Sequence, residues 1–105
     1  MVNYTGNERQ ESKISELGEL AHHLFPKVEI RAFKGAFRFG IKAALEKKGI
    51  ASWSDMVDKG TAEKRHFFDE VLKETNRHLL GHGLSDDEIR KLYKALKERN
   101  ETYIR

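Results

Sequence analysis

Five basic residues recur at helical spacing, and cations that share one helix face can bind several phosphates together. The segment from Lys27 to Lys48 carries a net charge of +5, whereas the whole chain carries +3. Five of its cations are spaced 4, 3, 4 and 4 residues apart, which places them on one side of a helix. This basic stripe consists of Lys27, Arg31, Lys34, Arg38 and Lys42. The pattern predicts contact with nucleic-acid phosphates or with an acidic protein surface.

A second interpretation of the stripe is structural and remains open. Charged runs are usually solvated faces whose long side chains cover neighbouring apolar surface. The preceding segment also supplies carboxylates that could pair with the stripe. These are Glu8, Glu11, Glu16 and Glu19.

Two Glu-x-x-His pairs have the spacing that di-iron helix bundles use. They are Glu19 with His22 and Glu63 with His66. Glu63 falls in the first turn of a predicted helix, where a carboxylate is already favoured by the helix dipole. We therefore predict no metal site and no cofactor.

The remaining motifs do not indicate catalysis. His78 and His82 have the spacing of a helical zinc pair, but position 79 is leucine, so the general-base glutamate of a His-Glu-x-x-His site is missing. The chain has no cysteine, no Gly-x-Ser-x-Gly element and no phosphate-binding glycine-rich loop. We predict a protein that is not an enzyme.

Apolar periodicity predicts that helices position these residues. Apolar side chains recur at three- and four-residue intervals, Pro26, Gly49 and Gly81 end the periodic segments, and no alternating strand pattern is present. The predicted fold is all-α, a compact bundle of four longer helices and one short helix. Their approximate ranges are 8–25, 27–48, 61–80 and 86–100, with the short helix at 53–58.

Length and composition predict one domain. The 105 residues fit a single helical domain over 9–105, preceded by a flexible arm over 1–8 that shows little periodicity. No stretch approaches 18 apolar residues, and the polar N-terminus lacks the apolar middle of a signal peptide. The expectation is a cytoplasmic protein without a membrane partner.

The predicted second helix is apolar over most of its circumference. One apolar ridge runs from Ile30 to Ala44 and includes Phe33 and Phe37, and a second contains Ala32, Ala36, Phe39 and Ala43. Such a helix should be largely surrounded by others. The basic stripe would then occupy a narrow exposed band between the two ridges.

The segment Leu45–Val57 contains a helix end, a Gly-Ile pair, a serine cap and a new helix. This order resembles a unit of helix-hairpin-helix-like nucleic-acid domains, among them the C-terminal domain of the α chain of RNA polymerase. The resemblance implies nucleic-acid binding. The same residues also suit any cap, turn and capped helix, and no second glycine-bearing hairpin follows, so no family is assigned.

These patterns lead to two alternative functions. The first is a non-catalytic helical module that binds DNA or RNA phosphates through the basic stripe. The second is a protein-interaction module, such as a small inhibitor, adaptor or assembly subunit, that uses the stripe or the aromatic anchors Trp53 and Phe39 against an acidic partner. Apolar residues continue to Tyr103 and Ile104, which leaves open a homodimer through the last helix.

Overall fold

The prediction of an all-α bundle is confirmed. A computed structural model describes residues 5–80 and 82–104, with side chains described at 8–80 and 82–102. Within these ranges the chain forms four long helices and one short helix. They are α1 (Thr5–Leu24), α2 (Ile30–Lys48), α3 (Trp53–Val57), α4 (Thr61–Leu79) and α5 (Asp86–Ile104).

The helix ends follow local capping chemistry. Gly49 adopts a left-handed φ of 67° after α2, and the Ile50 N–H donates to the Leu45 carbonyl at 2.9 Å. The Ser52 hydroxyl accepts from the Asp55 N–H at the start of α3. The unit that resembles a helix-hairpin-helix element is therefore a C-cap, a turn and an N-cap.

Two helix starts differ from the predicted ones. Helix α1 begins at Thr5, so residues 5–8 of the predicted arm are helical, and residues 1–4 lie outside the described residues. Helix α2 begins at Ile30 instead of residue 27, because Pro26 is followed by a turn in which the Val28 N–H donates to the Phe25 carbonyl. Val28 is buried there, and its carbonyl lies 2.8 Å from Nδ1 of His22.

Helix α2 packs between α1 and α4 and runs antiparallel to both. Lys34 lies against Gly18 and Arg38 pairs with Glu11 on the α1 side. On the α4 side, the Thr75 hydroxyl lies 3.4 Å from the Ala36 carbonyl, and Lys47 pairs with Glu70. Low-numbered residues of α2 therefore meet high-numbered residues of each neighbour.

The core lies where α2 meets α1 and α4 and extends to α3 and α5. Its largest side chains include Phe33, Phe37, Phe67 and Trp53. Helix α5 packs mainly against α4 and also contacts α1. Among the described residues, none of the helices has the length and hydropathy needed to cross a bilayer.

Candidate interaction surface on helix α2

One face of α2 is largely left uncovered by α1 and α4, and we call it the outer face. At 100° per residue it lies opposite the buried arc of Phe33, Phe37 and Ile41. Its residues are Arg31, Ala32, Gly35, Lys42 and Glu46, with Arg38 at the edge next to α1 and Phe39 at the edge next to α4, where its ring stacks on His78. The expected enclosure of α2 is therefore wrong. Within the predicted second ridge only Ala36 is buried, while Ala32 and Phe39 are exposed and Ala43 is half-buried.

Lys27, the first residue of the predicted stripe, does not lie on α2. It sits in the preceding turn, and its Nζ donates to Oε1 of Glu88 at 2.8 Å. Glu88 belongs to the capping box of α5, where the same oxygen accepts from the Ser85 N–H. Lys27 thus ties the turn before α2 to the start of α5 and is not aligned with the other four cations.

Arg38 is paired with a carboxylate from α1. Its Nη2 and Nε donate to the two carboxylate oxygens of Glu11 at 2.8 and 3.3 Å. The hydrogen bond from Arg38 lowers the pKa of Glu11, and the pKa of Arg38 is raised by the same contact. Both side chains are about half exposed, so solvent screening limits the pair to about 0 to 1 kcal/mol of stability. The structural interpretation of the stripe, pairing with α1, therefore applies to Arg38.

The other three cations of the stripe have no carboxylate within ion-pair distance among the described side chains. Lys34 is half-buried because its aliphatic stem lies on Gly18, where a Cβ would be 2.7 Å from Cγ of Lys34. Arg31 and Lys42 are exposed on the outer face. Lys34 forms no direct ion pair with a described side chain, but it is near enough to Glu11 to help lower the pKa of that carboxyl. These three cations without a direct ion pair are the part of the stripe that an external anion can neutralise.

An exposed ring column crosses from α2 to the end of α4. The Phe39 and His78 rings stack with centroids 4.9 Å apart and an interplanar angle of 26°. The His78 and His82 rings stack at 5.4 Å and 18°. All three residues are exposed, Phe39 by 46%. Sequence reasoning named Phe39 but not the column, because only the packing of α4 on α2 brings His78 beside it.

The histidines and glutamates do not converge on a metal. In the described part of the chain, no group of three or more His, Cys, Asp or Glu side chains could hold one. His22 lies near the end of α1, whereas His66 lies near the start of α4. Since both helices are antiparallel to α2, the two Glu-x-x-His pairs are at opposite ends of the bundle. His78 and His82 present ring faces to each other.

Trp53 is not a surface anchor in this structure. It is only 2% exposed and packs edge to face against Phe67 and Phe68, with ring centroids 6.0 and 5.9 Å away. Its predicted partner-binding role is therefore corrected to a core role, because the short helix α3 turns the indole inward. The other predicted anchor, Phe39, is exposed.

Apart from the outer face of α2, the structure has a concave region between α4 and α5. Its volume is about 220 Å³, and its wall includes Phe68 and Leu72. Arg65 and Glu101 at its margin pair through two hydrogen bonds of 2.6 and 2.8 Å. Asn100 also borders it, but the amide of Asn100 is buried and has no hydrogen-bond partner among the described residues. The sequence gives no sign of this region, since its residues come together only when α5 packs on α4.

Comparisons with protein-family models, with curated proteins and with solved structures find no match to this chain.

Proposed function

We propose that the chain is a small non-catalytic module that binds nucleic-acid phosphates through the outer face of α2. The observation that carries this proposal is the set of three unpaired cations beside that uncovered face, Arg31, Lys34 and Lys42. A phosphate backbone supplies negative charges for these three cations, and charge neutralisation dominates non-specific nucleic-acid binding. Lys27 and Arg38 are not counted because carboxylates of the chain already hold them.

The dimensions of the face limit the contact to a short stretch of backbone. Arg31 and Lys42 are eleven residues apart, or about 16 Å along the helix axis, which matches about five base pairs. Three cations would neutralise about three phosphates. Glu46 lies at the C-terminal end of the outer face and would repel a longer track. We therefore expect modest, salt-sensitive and sequence-independent binding.

The test is a salt titration by fluorescence anisotropy with labelled duplex DNA, single-stranded DNA and RNA. With about three phosphates neutralised, log affinity should fall with log salt at a slope near −2.7 on duplex DNA and near −2.1 on single strands. Arg31→Glu combined with Lys42→Glu should weaken binding at least about tenfold at low salt and reduce the slope by about 1 for each cation lost.

Lys91→Glu combined with Lys94→Glu is the matched control. Both lysines are exposed on α5, and the double change alters net charge by the same amount. The control should retain most of the affinity and the parent slope. Equal losses in the two double variants would show that overall charge, not the outer face, determines binding. No binding by the parent protein to any of the three ligands would refute the proposal.

A protein partner with an acidic surface is the second candidate, and the exposure of Phe39 favours it. An aromatic side chain flanked by cations is a common anchor in protein interfaces. A stoichiometric protein that remains bound after nuclease treatment, and is released by Phe39→Ala, would support this alternative.

A further inference from the structure

The ring column has features that phosphate binding alone does not require. Phe39 keeps 46% of its surface exposed although one ring face is stacked on His78. His78 contacts both other rings, so it lies in the middle and the column ends at Phe39 and His82. A column of parallel rings with exposed ends can be extended by another flat ring.

The ring column lies directly beside the unpaired cations. Phe39 and Lys42 are three residues apart on α2, so their Cβ atoms are about 5 to 6 Å apart on the same surface. On the other side of Phe39, four residues earlier, a Cβ added at Gly35 would meet no atom within 4 Å. The surface on the Gly35 side of the exposed phenyl ring is therefore open, and Lys42 lies on the other side of the ring.

A ligand that fits this arrangement carries a flat ring and a negative charge a short distance apart, repeated along a chain. Single-stranded nucleic acid has this chemistry, because its unpaired bases are free to stack on aromatic side chains while its phosphates meet cations. In a duplex, the bases stack on each other and offer only their edges in the grooves. Stacking on Phe39 therefore distinguishes single strands from duplexes.

We propose that an unpaired base of single-stranded DNA or RNA stacks on the Phe39 end of the ring column, which continues through His78 to His82, while Arg31 and Lys42 hold the adjacent phosphates. This inference rests on the proposed function and specifies its ligand. The stacking does not depend on base identity, since every base has a flat face. The module binds single strands in preference to duplexes and without sequence specificity.

The test compares three ligands of equal length, an oligothymidylate, an abasic strand with the same phosphates, and a duplex. The parent protein should bind the oligothymidylate at least about fivefold more tightly than the abasic strand, since one stacked base contributes at least about that factor. Phe39→Ala should remove this difference and leave abasic and duplex binding nearly unchanged. An oligouridylate arm extends the same comparison to RNA.

Three further variants separate ring stacking from general apolar contact. Phe39→Leu keeps an apolar side chain without a flat ring and should lose the preference, whereas Leu24→Ala, which shortens an exposed apolar residue elsewhere, should keep it. Phe39→Trp should keep the preference and place a fluorescent indole in the ring column, so that base stacking quenches its emission while the buried Trp53 gives a constant background.

The outcomes distinguish this inference from the proposed function. Equal binding of the oligothymidylate and the abasic strand would overturn the stacking role and leave phosphate binding in place. Full preference in Phe39→Leu would also overturn it. Absence of binding to all three ligands would overturn both. Loss of the base-dependent preference in Phe39→Ala and Phe39→Leu, with Leu24→Ala like the parent, would support the ring column as the base-stacking site.

Discussion

The inner and outer faces of α2 differ in how well the fold explains their residues. On the inner face, Phe33, Phe37 and Ile41 are fully buried against neighbouring helices. On the outer face, Phe39 is exposed and Gly35 has open space around it. An aromatic ring that stays nearly half exposed contributes less to folding than a buried one, and a glycine within a helix costs about 0.5 to 1 kcal/mol relative to alanine. Residues that folding does not require are the best guide to a binding surface.

The largest expected difference in stability is between alanine variants of two phenylalanines of α2 that are separated by a single residue. Phe37→Ala should lower the free energy of unfolding by about 3 to 5 kcal/mol, because it removes a fully buried ring and leaves a cavity. Phe39→Ala should lower it by only about 1 to 1.5 kcal/mol, because nearly half of the side chain is already in solvent and less apolar surface is lost from the core. Urea unfolding of both variants measures this difference.

A decrease of several kcal/mol in the free energy of unfolding of Phe39→Ala would contradict this expectation. It would mean that stacking on His78 fastens α2 to α4, and that Phe39 belongs to the structural face. His78→Ala checks this independently, since it removes the same stack from the other helix.

Alanine substitutions at the two glycines of α2 should change the stability of the protein in opposite directions. At Gly40, a Cβ would lie 2.1 Å from Oγ1 of Thr75 and 2.8 Å from the backbone oxygen of Val71. Gly40→Ala should therefore destabilise the protein by about 1 to 3 kcal/mol, as overpacked cores do. Gly35→Ala should stabilise it by about 0.5 to 1 kcal/mol, because the helix gains propensity and nothing is displaced.

Thermal and urea unfolding of Gly35→Ala and Gly40→Ala, measured side by side, give the two changes in stability. If Gly35→Ala is destabilising, the outer face is packed more closely than the structure indicates. If it is stabilising and also weakens nucleic-acid binding, the open surface at Gly35 is part of the contact.

The sequence predicted the helices well because their ends depend on local chemistry. Gly49 and Ser52 act through hydrogen bonds within a few residues, so the local sequence is enough to locate them. The start of α2 was placed three residues too early because periodicity continues through the turn at Val28. That turn is fixed by the burial of Val28 and the contact of its carbonyl with His22, both of which are tertiary.

The candidate site was less predictable because both apolar ridges of α2 suit a buried helix. Which ridge is covered depends on where α1 and α4 pack, and the sequence does not contain that information in a local pattern. The pairing of Arg38 with α1 was foreseen as an alternative, since Glu11 was among the available carboxylates. The pairing of Lys27 with Glu88, 61 residues away, was not.

The smallest expected change in stability is at the edge of the outer face next to α1, where Glu11 forms an ion pair with Arg38. Glu11→Gln should cost less than about 1 kcal/mol of stability, because the pair is half exposed. It should also release Arg38 as a fourth unpaired cation, so the salt slope on duplex DNA should steepen from about −2.7 to about −3.6. Salt titrations of parent and variant measure the change.

The pH dependence of stability gives a second measure of the same pair. Arg38 holds the pKa of Glu11 below its unfolded value, so the stabilisation is present above the unfolded pKa and is lost as the pH falls through the folded pKa. In Glu11→Gln, the part of the stability that the parent protein loses through this pair at low pH should be absent.

Glu19→Gln is the matched control for the salt titration. It removes one exposed negative charge from α1, and no described cation lies within ion-pair distance of Glu19. If both variants steepen the salt slope equally, general charge explains the gain. If only Glu11→Gln does, the chain's own carboxylate competes with phosphate for Arg38, and the boundary of the outer face is set by that competition.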